Sequence, residues 1–154
     1  MRRVDSLVEE VADDLRQIAR SDASRDEKAQ RIAEIIRERG NHRWVGIYDV
    51  GPTDISVIGW SGPAAPTFPT FPVEHGLNGA AVSTRKAVIA NDVSRDPRYL
   101  TTLGGTRSEM VVPILLDNRV VGTVDVESDE INRFADADRQ FIEACATAVA
   151  GLWR

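Results

Sequence analysis

The apolar residues of this chain change period twice, and that change limits its fold more than any other feature. Val4, Leu7, Val8, Val11, Leu15 and Ile18 recur in steps of three and four, one apolar stripe along a helix over residues 4–20. Ser21 to Ser24 breaks that helix. Ser24 and Glu27 then form an S-x-x-E capping box for a second helix, with Ala29, Ile32, Ala33 and Ile36 as its stripe and Gly40 as its expected C′ residue. From Arg43 the period becomes two, which predicts strands over 43–50 and 54–60 joined at Gly51 and Pro52. The helical period returns near Asp136, where Phe141, Ile142, Cys145, Val149, Leu152 and Trp153 mark a last helix.

Between these ends the signals are shorter. Pro63, Pro66, Pro69 and Pro72 forbid a helix or an interior strand over 61–75, which is left as an extended edge or loop. A short helix is expected over 76–84, closed by Arg85 and Lys86, and a short buried strand over 87–90. Residues 91–107 form a long loop, with a helical turn expected after the cap Asp96 and Pro97. Glu109 to Leu116 and Val120 to Glu127 make the clearest hairpin. A three-residue loop, Asp117 to Arg119, sets Met110, Val112, Ile114 and Leu116 opposite Val126, Val124, Gly122 and Val120. A two-residue loop is disfavoured because it would put Met110 opposite Asp125. In the chosen register Glu109, Asp125 and Glu127 share the other face, with Val111, Pro113, Leu115, Thr123 and Val121.

The order helix, helix, strands interrupted by one short helix, then helix predicts an α+β fold. An antiparallel sheet carries the terminal helices on one face. Its mixed face looks into the loops over 61–75 and 91–107. The 154 residues suit one domain: helices over 1–40, sheet and loops over 41–134, and a last helix over 135–154. The surplus apolar surface of the two terminal stripes predicts a homodimer.

Composition excludes several classes. A net charge of -5, with 17 arginines and 2 lysines scattered along the chain, argues against nucleic-acid binding. No stretch is apolar enough for a membrane span, and Asp5, Glu9 and Glu10 soon follow the basic start, so a cytoplasmic protein is expected. One cysteine, Cys145, provides no internal disulfide and no two-thiol redox cycle. Its place on the last helix's apolar stripe marks it as a packing residue. His42 and His75 lack companions at metal-ligand spacing, so no metal is expected, and no cofactor either. Gly76-x-x-Gly79 lacks the third glycine of a dinucleotide fingerprint. Asp92, Asp96 and Asp129 read as turn residues and caps.

An ordered set of segments nonetheless resembles a known family. It runs from Trp44-Val45-Gly46-Ile47-Tyr48 through Gly62-Pro63-Ala64, Gly76-x-x-Gly79 and Asn91-Asp92-Val93 to Thr106-Arg107-Ser108-Glu109-Met110. It continues with Val121-Gly122-x-x-Asp125-Val126-Glu127-Ser128 and Phe134-x-x-x-Asp138. The set resembles a GAF domain, and within that family the free methionine-(R)-sulfoxide reductase branch. GAF domains are small-molecule sensors, usually dimeric through their terminal helices, and the resemblance implies such a role. The reductase branch works with cysteine thiolates, but the matching positions here hold Ala65, Asn78 and Thr102. Cyclic-nucleotide-binding members carry an Asn-Lys pair and a Phe-x-x-x-Asp-Glu; here Arg139 follows Asp138 and no Asn-Lys occurs. Bilin-binding members need a pocket cysteine.

The reductase branch lines its pocket with residues matched here by Trp44, Tyr48, Glu109, Asp125 and Glu127. The hairpin register independently gathers the three carboxylates. Asn78 joins them as a candidate ligand-binding residue. Three like charges in a partly enclosed site become favourable around a cation such as an ammonium or guanidinium group, with an aromatic face beside it. The plain alternative is a solvated sheet face. The expected function is non-catalytic binding of a small amine-bearing molecule. A reductase-like enzyme using an outside thiol and a dimerisation module with a vestigial pocket are the alternatives.

Overall fold

In the computed structural model, which describes the backbone of residues 2–154 and the side chains from residue 6, six antiparallel strands form one sheet flanked by four α-helices. The helices are α1 (Arg2–Arg20), α2 (Arg25–Gly40), α3 (Gly76–Thr84) and α4 (Asp136–Val149). The strands are β1 (Trp44–Val50), β2 (Asp54–Ser61), β3 (Thr70–Pro72), β4 (Val88–Ala90), β5 (Ser108–Leu116) and β6 (Arg119–Ser128). Their order across the sheet is β3-β2-β1-β6-β5-β4, so the long hairpin and β1 lie at its centre. No helix among the described residues is long and apolar enough to cross a membrane.

Alternation along the central strands sorts their side chains between two cores. Val45, Ile47, Met110, Val112, Ile114, Val124 and Val126 face α1, α2 and α4, where they meet Leu15, Ile32, Ile36, Ile142, Cys145 and Val149. Trp44 and Tyr48 face the other way, into a cluster with Ile55, Phe71 and Leu103. The terminal helices cover one face, as the sequence predicts. α2 lies on β1 and β2, α4 lies on β5, and α1 packs across α2 and α4. α1 thereby buries Val11, Ala12, Leu15 and Ala19 within the chain, while Leu7 of the predicted stripe stays 55% exposed. The side chain of Val4 falls outside the described residues.

Three local expectations are corrected. The β5–β6 turn has two residues, not three: Asp117 (φ 50°) and Asn118 (φ 67°) both adopt the left-handed conformation that a tight hairpin requires. Met110 still pairs with Val126, Val112 with Val124 and Ile114 with Gly122. Leu115 then pairs with Val120 and Leu116 with Arg119, so Val121 is the extra residue of a bulge. The bulge reconciles a tight turn with the apolar register; patterning alone accounted for the offset with a longer loop. The helical turn of the 91–107 loop lies at Val93–Arg95, with Asp92 as its cap through a 3.1 Å bond from the Ser94 N–H, rather than after Asp96. Asp96 accepts from the Tyr99 N–H through its backbone carbonyl and closes a turn around Pro97 instead. Asn41 (φ 55°), not Gly40, is the left-handed residue ending α2. The proline-rich segment is extended, as expected, and its residues Thr70–Pro72 form a short edge strand on β2.

The segment between β6 and α4 is held by side chains. Asn91 brackets Phe134, donating to its carbonyl at 3.0 Å and accepting from its N–H at 3.1 Å. Arg133 reaches Asp138 at 3.0 Å and the Gly40 carbonyl at 3.3 Å, tying the end of α2 to the start of α4. Ser108 donates to the Glu130 carbonyl at 2.6 Å, which fixes the open end of the central hairpin.

The α2 backbone packs closely on β2 at Gly59. A Cβ there would lie 2.5 Å from the Ala29 carbonyl carbon, and backbone cannot rotate away. Gly59→Ala is expected to destabilise the fold by about 1–3 kcal/mol, the usual range for overpacking. Urea denaturation of the variant against wild type measures this.

Candidate functional site

The mixed face of the sheet carries the site. Glu109 on β5 pairs directly with Glu127 on β6, and Asp125 lies two residues back along β6 on the same face. β1 runs along the other side of β6, pairing Trp44 with Glu127, Gly46 with Asp125 and Tyr48 with Thr123. The five residues expected from the resemblance, three of them also from the hairpin register, therefore come together. Gly46 explains how two large rings fit beside the acids. It stands between Trp44 and Tyr48 on the shared face, and a Cβ there would lie 2.4 Å from the Trp44 ring and 2.9 Å from the Tyr48 ring.

Other elements close the walls. The Trp44 indole N–H donates to the Ala64 carbonyl at 2.9 Å, anchoring the proline-rich segment over β1. Phe71 of β3 meets Tyr48 edge to face at 5.7 Å between ring centroids. α3 inserts Asn78, whose amide donates to Asp125 at 3.1 Å while its carbonyl accepts from the Thr123 hydroxyl at 2.5 Å. Asn78 is thus placed at the acids as expected. Thr106 donates to Glu127 at 2.9 Å from the end of the long loop. The sequence reading gave no site role to Thr123, Thr106 or Phe71. Alternation alone puts Thr123 on the acidic face, whereas Thr106 and Phe71 arrive through loop and edge geometry with no periodic signal.

The acids are almost wholly enclosed: Glu109 is 1% exposed, and Asp125 and Glu127 are 0% exposed. Each offers an oxygen within 4.8 Å of the other two. Glu109 Oε1, Asp125 Oδ1 and Glu127 Oε2 have no hydrogen-bond partner. Among the described residues no lysine or arginine is paired with any of them. Burial, and then repulsion by the neighbouring carboxylates, pushes Glu109 well above the usual range. Burial and Asp125 do the same to Glu127, partly offset by the Thr102 and Thr106 hydroxyls. Burial also raises Asp125, against the lowering effect of its hydrogen bonds, including that from Asn78. Tyr48 is held neutral well above its ordinary value by burial and by the same three acids.

Over Glu109, between Tyr48, Phe68, Phe71, Leu100 and Thr102, there is about 10 Å³ of free space, about enough for one water. Beyond Gly76 and Leu100 lies an open groove of about 630 Å³ lined by Val73, Ala80, Val82 and Tyr99. A ligand head group reaching the acids must displace the Leu100–Thr102 segment or the Phe68 side chain. The set of three oxygens suits a cation, but hard divalent ions keep six or more oxygen ligands, for which this enclosure has little room.

The positions matched to the reductase cysteines are dispersed in kind. Ala65 is exposed, whereas Asn78 and Thr102 are buried in the pocket wall. Cys145 lies on the opposite side of the sheet in the helical core, where burial pushes its thiol up to about 12. His42 is buried beside Phe134 and Arg133, with burial and that guanidinium lowering it to about 4, and His75 is exposed at the start of α3.

With fold and site in view, the comparisons with known proteins agree. The GAF domain family profile matches residues 24–152, and the chain belongs to this family. GAF domain-containing protein A of Dictyostelium discoideum is 29% identical over 112 residues, 72% of this chain and 70% of that protein. The free methionine-R-sulfoxide reductase of Saccharomyces cerevisiae is 33% identical over 75 residues, covering 48% of this chain and 42% of the enzyme. That of Escherichia coli is 27% identical over 97 residues, 63% of this chain and 58% of the enzyme. The chain thus spans well under two thirds of either reductase. The Neisseria meningitidis reductase, solved with its substrate, superposes with a TM-score of 0.85 at 23% identity, over 96% of this chain and 89% of that one. The protein is therefore a GAF domain protein related to free methionine-R-sulfoxide reductases, with one cysteine in its sequence.

The acids give stability a definite pH dependence. Carboxyls whose folded-state affinity for protons is raised contribute most below their unfolded pKa of about 4, and that contribution is lost as pH rises. His42, lowered to about 4, acts the opposite way: its contribution is complete above its unfolded value of about 6.5 and is lost on acidification. Glu109→Gln separates the two. The variant should match wild type at about pH 4 and exceed it by about 1–3 kcal/mol at about pH 8, because the unfolded chain releases a proton there that folded Glu109 holds more tightly. Thermal denaturation across pH checks this.

Proposed function

We propose that this protein is a sensor module that holds a small ammonium-bearing molecule over Glu109, Asp125 and Glu127 without transforming it. The observation carrying this reading is three buried carboxylates beside Trp44 and Tyr48, each with an unpartnered oxygen and each offering an oxygen within 4.8 Å of the other two. An ammonium group donates three hydrogen bonds and brings the opposite charge. The flanking rings add a cation–π face. The outer groove past Leu100 leaves room for the remainder of the molecule.

Reduction of a sulfoxide requires an attacking thiolate and a resolving thiol. Ala65, Asn78 and Thr102 provide neither. Asn78 instead spends both ends of its amide on Asp125 and Thr123. Cys145 is held as a thiol behind the sheet.

A thermal-shift screen of free amino acids, their sulfoxides, guanidino compounds and nucleotides tests the reading. A ligand at 100 times its Kd stabilises by about 2.7 kcal/mol. Asp125→Asn should weaken such a ligand by about 1.5–3 kcal/mol, the cost of a lost charged hydrogen bond. With dithiothreitol, turnover of free methionine sulfoxide by the wild type should not exceed that of Cys145→Ser; higher turnover would restore the enzyme reading.

The same proposal includes a homodimer formed through α1 and α4. Among the described residues of α1, Leu7 is an exposed apolar side chain left for a partner. Light scattering should give about twice the 16.9 kDa chain mass. A monomer at micromolar concentration would remove the dimer while leaving the pocket intact.

A further inference from the structure

Fully ionised, the acidic cluster would carry more negative charge than one ammonium group can balance. Glu109 comes from β5, and Asp125 and Glu127 from β6. The titratable groups facing them are Tyr48 from β1 and Tyr99 from the long loop, both held neutral by burial. α3 presents the uncharged Asn78, and the loop end presents the Thr106 hydroxyl. Three adjacent carboxylates cannot all ionise in such a site, and they titrate as one coupled set. A protonated carboxyl, unlike a carboxylate, is a donor. Protons held between these groups would satisfy the oxygens that have no other partner.

We propose that the unliganded cluster carries protons in place of a cation, and that an arriving ammonium group displaces one of them to solvent. This rests on the reading of the pocket as an ammonium site and adds how that site is regulated. One R–NH3⁺ enters and one H⁺ leaves, so the charge of the buried site is unchanged. No covalent bond forms or breaks. Asp125 is the member best placed to be ionised against the ligand, because Asn78 already donates to its other oxygen. Glu109, with no donor of its own, retains its proton longest. Raised proton affinity at all three positions supports the exchange.

Two measurements test it on the intact chain. The first is calorimetric titration with n-butylammonium and with L-methionine, from about pH 6 to about pH 8, in buffers of different ionisation enthalpy. Exchange of one proton predicts affinity rising up to about tenfold per pH unit, with close to one proton released per ligand. The second needs no ligand: infrared spectra of the protein alone near neutral pH should contain a buried carboxylic-acid band that diminishes in Glu109→Gln. Binding with no pH dependence and no proton release overturns the exchange and leaves the ammonium site standing. A missing carboxylic-acid band overturns it as well. If neither probe binds across the whole range, both the exchange and the ammonium site fail.

Discussion

Everything that defines this molecule depends on the register of β5 against β6. That pairing is where one sequence serves two faces. Met110, Val112, Val124 and Val126 turn toward the helices, and the alternate residues Glu109, Asp125 and Glu127 turn away. Because side chains alternate strictly, a slip of one residue would turn the acids into the apolar core beneath the helices and the valines toward the pocket face. The apolar side resists that slip. Its burial is what holds three carboxylates side by side, an arrangement that like-charge repulsion would otherwise dissolve. The acids are therefore carried by the helical core behind them and contribute nothing favourable of their own until something neutralises them.

Much of this was legible in the sequence, for a definite reason. Periodic patterns report burial, and burial in this fold is set by the two faces of one sheet. The helices, the central hairpin and the shared face of the acids all follow from period alone. The aromatic pair was singled out from the resemblance, and its shared face follows from Trp44 and Tyr48 lying four apart on β1. What was hidden lacks a period. The bulge at Val121 costs one residue in register, an offset a longer turn mimics, and only the left-handed geometry of Asp117 and Asn118 separates the two. The 3₁₀ turn at Val93–Arg95 was displaced because Asp92 and Asp96 are both plausible caps by residue type; the structure selects Asp92 through its bonds to Ser94.

The site was legible in its acids and not in its enclosure. Asn78 was singled out from a resemblance, while its work of clamping Asp125 to Thr123 is visible only when α3 is set against β6. Thr106 reaches Glu127 from a loop whose path no periodicity describes. Gly46 was present in a motif without a reason. The reason is volume: two rings close over the acids only because the residue between them has no side chain.

The margins of the sheet carry a different consequence. β3 and β4 are three residues long, and β4 covers β5 only from Glu109 to Val111. No strand pairs with the outer side of the remainder of β5, which carries Pro113 with no N–H to offer a neighbouring strand. On the opposite margin Pro72 closes β3 in the same manner. A sheet with edges this short and interrupted is a poor template for strands from other chains. The central strands can thus be rich in valine and isoleucine without recruiting neighbours into fibrils, and exposed backbone leaves little scope for association by strand addition.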